Sequence, residues 1–172
     1  METYHRVLDR PAYLPLGTTA HKQGRIAGEN AIGGHRVFAG SLGTQVVKVF
    51  ELAVARTGLR DDDAADGGFD PMTVSAAEFD HKAYYPGAHK VHMRITGDRP
   101  SGRLLGTQLV GHRDGEVAKR IDIAAAALFH GMRVDELNDL DLQLHPPRSA
   151  ALGMPFSTAP SHGYALRQAT VG

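Results

Sequence analysis

A strict alternation of apolar and polar residues runs through residues 89–96 (HKVHMRIT) and predicts a strand with one buried face. The turn-forming residues 97–102 (GDRPSG) separate this segment from residues 103–111 (RLLGTQLVG), so the two segments are expected to pair as a hairpin. Three further strands, rich in β-branched and small apolar residues, are predicted at residues 45–50, 52–56 and 73–79. The chain therefore carries enough strands for one sheet.

The strongest helical pattern covers residues 116–130 and ends at Gly131. Its apolar positions recur at helical spacing: Val117, Ile121, Ala125 and Leu128. The alanine run at residues 124–127 would let this helix approach a sheet closely, because an alanine side chain takes little space. We expect this helix to cover one face of the sheet.

Shorter helical segments are expected at residues 19–31, at residues 61–65 and from about residue 134. Gly33-Gly34 would end the first, and Asp61, Asp62 and Asp63 would place favourable negative charge at the start of the second. In the third, Leu137 and Leu140 would face inward. The pattern as a whole predicts an α+β fold, in which an antiparallel or mixed sheet of four or five strands carries helices on one face.

The chain divides by composition into three parts. Residues 1–40 contain a lone helix between prolines and glycines and look like a piece of a neighbouring domain. Residues 41–152 hold the predicted sheet and the main helix. Residues 153–172, with two prolines and little periodicity, are expected to form an irregular tail.

Composition excludes several classes of function. The 172 residues carry 19 basic and 19 acidic side chains, so electrostatics gives no case for binding nucleic acid or an anionic membrane. No apolar run approaches the ~20 residues of a membrane span, and a soluble, cytoplasmic protein is expected. The absence of cysteine excludes disulfides, thiolate metal sites and a redox-active thiol on this chain.

The stretch PAYLPLGTTAHKQGRIAGENAIGG, residues 11–34, breaks at Gly17 and continues as a helix. Thr18 or Thr19 is the expected N-cap, and the backbone N–H groups of Thr18, Thr19 and Ala20 would face an electron-rich ligand at the positive end of the helix dipole. From the residues alone, an ordinary capped helix at the edge of a domain is the favoured interpretation of this pattern. The glycines complete neither a P-loop nor a GxGxxG motif, so no nucleotide-binding motif is present.

Three other positions are candidates for chemistry. Tyr84 and Tyr85 precede a Pro-Gly turn that would expose a phenol, although such a pair also suits packing at an interface. His145 is followed by two prolines, which would hold its imidazole rigidly as for a general acid or base, or simply in a stiff surface loop. The ten histidines include no recognisable ligand spacing, since His89 and His92 would point to opposite faces of a strand. No metal site is expected.

Several segments in succession carry a resemblance to a known family. They are LPLGTTAHKQGRIAGEN, GSLGTQVVKVFELAVARTGL, YYPGA, GRLLGTQLVG and KRIDIAAAALFHGMRVDEL. In order and spacing they resemble the C-terminal part of FAD-dependent pyridine nucleotide–disulfide oxidoreductases, in the branch of coenzyme A-disulfide reductases, NADH oxidases and persulfide reductases. The resemblance covers about residues 2–149. It implies that residues 1–40 are the end of an FAD-binding domain and that residues 41–152 are a dimerisation domain.

The resemblance implies specific roles for individual residues. The backbone of Leu16, Gly17, Thr18 and Thr19 would lie against the flavin ring of FAD, with NAD(P)H as cosubstrate of the parent enzyme. Tyr84 and Tyr85 match a YYPG motif whose tyrosine reaches across the dimer toward the other subunit's thiol and substrate. His145 matches a cross-subunit base of the glutathione-reductase branch, but Ala150 stands where that branch has a partner Glu. Leu144 and Arg148 replace the aromatic residues that usually contact coenzyme A.

The Gly-Asp motif, the Rossmann unit and the cysteine that the family carries are absent from this sequence, so we expect only part of the flavin site. Our preferred hypothesis is a homodimeric dimerisation module of such a reductase, without redox activity or bound FAD of its own. One alternative is a working half of a split reductase, completed by a separate chain that carries FAD and cysteine. Another is a stand-alone homodimeric interaction module.

Overall fold

The computed structural model describes residues 2–142. Its strands are β1 (Glu2–His5), β2 (Arg10–Tyr13), β3 (Gln45–Val49), β4 (Leu52–Gly58), β5 (Pro71–Phe79), β6 (Lys90–Asp98) and β7 (Leu104–His112). Its helices are α1 (Gly17–Ala31), α2 (Asp61–Asp66) and α3 (Val117–Phe129), followed by one 3-10 turn (Asp135–Leu137). The expected tail at residues 153–172 lies outside the described residues.

Strands β3 to β7 form one antiparallel sheet in the order β3-β4-β7-β6-β5. The predicted hairpin is β6–β7, and each strand predicted at residues 45–111 is present within a few residues of its expected bounds. Val54 on β4 pairs with Val47 on one side and Val110 on the other, so these three side chains share one face of the sheet. The α+β fold expected from the sequence is confirmed, and the sheet is purely antiparallel.

Helix α3 covers the other face of the sheet, as the 117–128 apolar spacing predicts. It packs on β4 and β7. The buried residues of this layer are Ala53, Ala55, Val91, Met93, Leu105, Leu109, Val117, Ile121, Ala124, Ala127 and Leu128. Each larger aliphatic side chain stabilises the fold by about 1.5–3 kcal/mol through its burial. The backbone of Leu59 lies against β7 at Gly106. A Cβ at Gly106 would lie 1.9 Å from the Leu59 carbonyl oxygen, so this position requires glycine.

The N-terminal segment contains a hairpin that the sequence analysis missed. Strands β1 and β2 pair antiparallel, and His5 forms an isolated parallel bridge with Ser41. Each strand has only four residues, Pro11 lies within β2, and the buried positions of β1 are the polar residues Thr3 and His5, so the sequence shows no apolar alternation there. Through the His5–Ser41 bridge, the hairpin contacts the segment that precedes β3.

The ends of the shorter helices follow the sequence in part. Helix α1 ends at Ala31, and Gly33 adopts the positive φ of 96° that a glycine allows. Helix α2 is present at the three aspartates. The helix expected from about residue 134 is only the 3-10 turn, in which Leu137 is buried as predicted; Leu140, after the turn, packs against the core. Among residues 2–142, no helix is long and apolar enough to cross a membrane.

Candidate functional site

The N-terminus of α1 presents backbone amides at Gly17, Thr18 and Thr19. Leu16 is the N-cap residue in an extended conformation, with φ −107° and ψ 133°, and its carbonyl accepts the first helical hydrogen bond, 3.0 Å from the Ala20 nitrogen. The three preceding amides have no acceptor of this kind, because a helix leaves its first N–H groups unpaired. A Cβ at Gly17 would meet nothing within 4 Å, so the backbone there is uncovered.

The prediction that Thr18 or Thr19 caps this helix is wrong. The helix begins two residues earlier than expected, at Gly17, and no side chain caps it. Thr19 is instead buried, with its hydroxyl 3.0 Å from that of Ser41. The amide of Ala20, expected to be free, is engaged with Leu16. The physical reason is that a tertiary partner of Thr19 competes with the local cap.

A cleft opens beside the start of α1. Thr18 and Lys22 from the helix, Phe38 and Ser41 from the segment before β3, and Phe129 from the end of α3 contribute to its walls. The free amides and the lysine supply hydrogen-bond donors, and the two phenylalanines supply apolar surface. This combination suits the polar edge of an aromatic ring system such as a flavin, and the residues present fit one wall of such a site.

Tyr84 and Tyr85 lie on the segment that joins β5 to β6. Tyr84 is 77% exposed and Tyr85 is 38% exposed. Their ring centroids are 4.6 Å apart at an interplanar angle of 38°, and the Tyr85 amide donates to the Lys82 carbonyl at 3.0 Å. The expected exposure of a phenol at the Pro-Gly turn is therefore present. Neither tyrosine belongs to the cleft at α1 in the part of the chain that the structure describes.

Hydrogen bonds between Asp80 and His89 close this segment, which we call the tyrosine loop (residues 80–89). We call its closed end, formed by these two residues, the base of the loop. The Asp80 amide donates to the His89 carbonyl at 2.9 Å, and the His89 amide donates to Asp80 Oδ1 at 3.0 Å. Asp80 Oδ1 also lies 2.9 Å from His81 Nδ1, and both side chains are nearly buried. The His89 ring stacks on His112 at a centroid distance of 4.1 Å. The loop that exposes two tyrosines thus rests on an ordered base.

Arg120 of α3 reaches this base from the core. Its side chain is fully buried, and Nη2 donates to the Asp80 carbonyl oxygen at 2.6 Å. Burial lowers the pKa of the Arg120 guanidinium, while the negative charges of Asp80 and Glu116 act in the opposite direction. The sequence analysis missed Arg120, although an arginine three residues after Val117 on an apolar helical stripe is an available signal.

The sheet face opposite α3 exposes a strip of apolar side chains on its first two strands. These residues are Val47, Val49, Leu52 and Val54. Phe50, at the turn between β3 and β4, is 91% exposed and has a positive φ of 51°. An apolar edge strand open to solvent is a surface that proteins normally cover. His145, the third residue expected to act in the partner's site, lies outside the described residues.

A family model described as "Pyridine nucleotide-disulphide oxidoreductase, dimerisation domain" matches residues 44–155. The chain is 34% identical over 146 residues to an NAD(P)H sulfur oxidoreductase (CoA-dependent) of Pyrococcus furiosus, covering 85% of this chain and 32% of that protein. It is 32% identical over 148 residues to a coenzyme A disulfide reductase of Staphylococcus aureus, covering 86% and 33%.

Among solved structures, an NAD-dependent persulfide reductase from A. fulgidus superposes with a TM-score of 0.86 at 38% identity, covering 99% of this chain and 30% of that one. The chain therefore spans about a third of the length of the relatives that it matches.

Proposed function

Since this chain belongs to the pyridine nucleotide–disulfide oxidoreductase family, we propose that it is the dimerisation module of a flavin-dependent disulfide reductase. In this proposal it pairs with a second copy of itself, forms one wall of a flavin site and presents tyrosines to the partner subunit. It has no redox activity alone, because it contains no cysteine to accept electrons from a flavin.

The observation that carries the proposal is the uncovered apolar strip on β3 and β4. Val47 and Val54 pair across the two strands, and both are about half exposed. Covering such a strip removes apolar surface from water, which contributes roughly 25 cal/mol per Å². A twofold symmetric arrangement would bury the strip of each copy at once, as closed dimers do. The dimerisation-domain match of residues 44–155 supports the pairing of two copies.

The residues proposed to contact FAD are Leu16, Gly17, Thr18 and Thr19. The uncovered backbone at Gly17 would let a planar ring approach closely, and the first amides of α1 would donate to its electron-rich edge. Bound there, FAD would supply the transfer of two electrons from NAD(P)H toward a disulfide. This chain's part is to orient the ring and to exclude water from one side, with Phe38 and Phe129 as the apolar surface.

Tyr84 and Tyr85 are proposed to act in the active site of the partner subunit. Their phenols can donate a hydrogen bond to a developing thiolate or to the bound substrate, and the Tyr84 ring is exposed enough to reach another chain. His145 is proposed to contribute to the same site as a general acid or base. The substrate class proposed for the parent enzyme is a disulfide of coenzyme A or a persulfide, by similarity to the relatives.

Heterodimers provide the decisive experiment. The 172-residue chain would be mixed with a full-length relative that carries FAD and cysteine, and native mass spectrometry would detect a complex of one copy of each. In that heterodimer, Tyr84→Phe in this chain should lower disulfide reduction at the relative's thiol roughly tenfold, a loss of one charge-assisted hydrogen bond. Tyr13→Phe is the matched control, since Tyr13 is also exposed (74%) but lies on β2.

Three results would contradict the proposal. Pairing of the chain only with itself, with the relative left untouched, would favour a stand-alone interaction module. Tyr84→Phe and Tyr85→Phe could both leave the rate of the heterodimer unchanged. The purified chain, free of other proteins, could oxidise NAD(P)H by itself. Co-purification with a separate chain that carries FAD would instead identify this protein as half of a split reductase.

A further inference from the structure

Arg120 is the largest fully buried side chain of the described residues. Its Nε and Nη1 atoms have no hydrogen-bond partner within residues 2–142, so burial of the guanidinium is only partly compensated. An arginine in this state costs free energy that an apolar residue of similar volume would avoid. Core stability therefore does not explain why this position holds an arginine. The one hydrogen bond that Arg120 makes indicates a different role.

That hydrogen bond ends on the base of the tyrosine loop. Arg120 Nη2 donates to the Asp80 carbonyl at 2.6 Å, and Asp80 begins the loop immediately after β5. The amide and the carboxylate of Asp80 both bond to the backbone of His89, which ends the loop before β6. Arg120 thus connects helix α3 to the residue on which both ends of the loop converge.

Asp80, at the base of the loop, lies close in sequence to the two exposed tyrosines. Only three residues lie between Asp80 and Tyr84, and the Tyr85 amide donates to the Lys82 carbonyl at 3.0 Å. A displacement of Asp80 would therefore pass directly to the tyrosines. Helix α3 is the rigid reference for this arrangement, because Ile121, next to Arg120, is buried in the main core.

We infer that Arg120 and Asp80 are positioning residues: the buried guanidinium fixes Asp80, and Asp80 holds the tyrosine loop in the conformation that presents Tyr84 and Tyr85. The role of this positioning in the parent enzyme rests on the proposed function of Tyr84 and Tyr85. The positioning itself is a property of this chain and is measured without any reaction.

Hydrogen–deuterium exchange of the 172-residue chain tests the inference. Arg120→Met keeps much of the volume but cannot donate to Asp80, so the amides of Asp80, Tyr85 and His89 should exchange about tenfold faster or more, as expected for loss of a charged hydrogen bond. Arg120→Lys retains one donor and should restore part of the protection. Ile121→Val is the matched control, because it weakens the same helix without touching the loop.

Faster exchange confined to the loop in Arg120→Met, with partial rescue in Arg120→Lys, supports positioning. Unchanged loop exchange, or an equal increase in Ile121→Val, overturns it. If Arg120→Met does not fold, Asp80→Ala replaces it, since this variant removes the carboxylate that accepts from the His89 amide. Unchanged loop exchange in Asp80→Ala and in Arg120→Lys would then overturn the inference. Failure of the proposed function is distinguishable, because it would appear as unaltered heterodimer activity in Tyr84→Phe with the loop still protected.

Discussion

Arg6 and Phe129 join the N-terminal hairpin to the last residue of α3. The guanidinium carbon of Arg6 lies 3.9 Å from the centroid of the Phe129 ring, and its Nε donates to the Phe129 carbonyl at 3.1 Å. A second nitrogen donates to the Ala39 carbonyl at 2.8 Å. The cation thus satisfies a free carbonyl at a helix C-terminus, where positive charge is favourable. One side chain links the hairpin, the segment before β3 and the main helix.

Arg6→Met should loosen the N-terminal segment from α3. Loss of the hydrogen bonds and of the cation–π contact is expected to cost about 1–2 kcal/mol. Arg6→Lys should recover less than half of this, because a lysine keeps the charge but not the planar group that stacks and bonds together. Urea denaturation and exchange at residues 2–31 would measure the effect. Arg10→Met, on an exposed residue of β2, is the control, and an equal loss there would contradict the assignment.

Val47→Lys combined with Val54→Lys should convert the proposed dimer into a monomer. The two residues are paired on adjacent strands, and burial of two like charges in an interface would raise the dissociation constant at least 100-fold, or about 2.7 kcal/mol. Sedimentation velocity would report the 18.5 kDa monomer, and circular dichroism would report the retained sheet.

Ala65→Lys, on an exposed residue of α2, is the matched control and should leave the dimer intact. A double lysine variant that stays dimeric at micromolar concentration would exclude the β3–β4 strip as the interface. A wild-type chain that sediments only as a monomer would exclude the homodimer itself.

His5 should make the fold sensitive to mild acid. Burial lowers the pKa of His5 below 6.5, and its Nδ1 accepts from the Val7 and Leu8 amides at 3.2 and 3.3 Å, which requires an unprotonated nitrogen. The unfolded chain therefore binds the proton more readily than the folded one. The stabilisation is complete above pH 6.5 and declines as the pH falls from there through the lower folded-state pKa.

The check is the unfolding free energy from pH 8 to pH 5. His5→Asn retains an acceptor but does not titrate, so its stability should fall less over this interval than that of the wild type. His21→Asn, on the exposed side of α1, is the control for a histidine without this contact. Parallel pH profiles of the wild type and His5→Asn would contradict the prediction.

Asp61 should support stability in the acid range. Its carboxylate accepts from the Thr73 hydroxyl at 2.7 Å, from Thr96 at 3.2 Å and from the Arg94 guanidinium, and these contacts, led by the Thr73 hydrogen bond, lower the pKa of Asp61 below 3.8. The folded state binds the proton less tightly, so the stabilisation is present above pH 3.8 and is lost as the pH falls through the folded-state pKa.

Thr73→Val should raise the pKa of Asp61, measurable by NMR titration of its carboxyl carbon, and should move the acid unfolding midpoint to higher pH. Ser75→Val, two residues along the same strand and on the same face, is the control. An unshifted Asp61 titration in Thr73→Val would show that the threonine hydroxyl is not the main cause.

Local patterns were sufficient for most of the sheet and for α3. The alternation of Val91, Met93 and Ile95 against charged neighbours corresponds to their burial in the structure, because a strand turns successive side chains to opposite faces. The stripe from Val117 to Leu128 likewise identified the buried face of the main helix. The β1–β2 hairpin escaped detection because four-residue strands are too short to show a period.

Local sequence patterns predicted the candidate site only in part. The exposed tyrosines and the open start of α1 follow from a Pro-Gly turn and a glycine break, which act over a few residues. The role of Thr19 was misjudged, since its hydroxyl meets Ser41, which is 22 residues away in sequence. Arg120 and Asp80, 40 residues apart, carry no local pattern that relates them.

The amino-acid sequence alone determined which segments become strands and helices, which faces are apolar and which chemistry this chain lacks, because periodicity, turn residues and composition act within a few positions. Tertiary structure decided where the unpaired groups go: Thr19 to Ser41, Arg6 to the end of α3, and Arg120 to the base of the tyrosine loop. Such partners are chosen by the folded chain as a whole, since a buried polar group must bond to whichever group packing brings within about 3 Å.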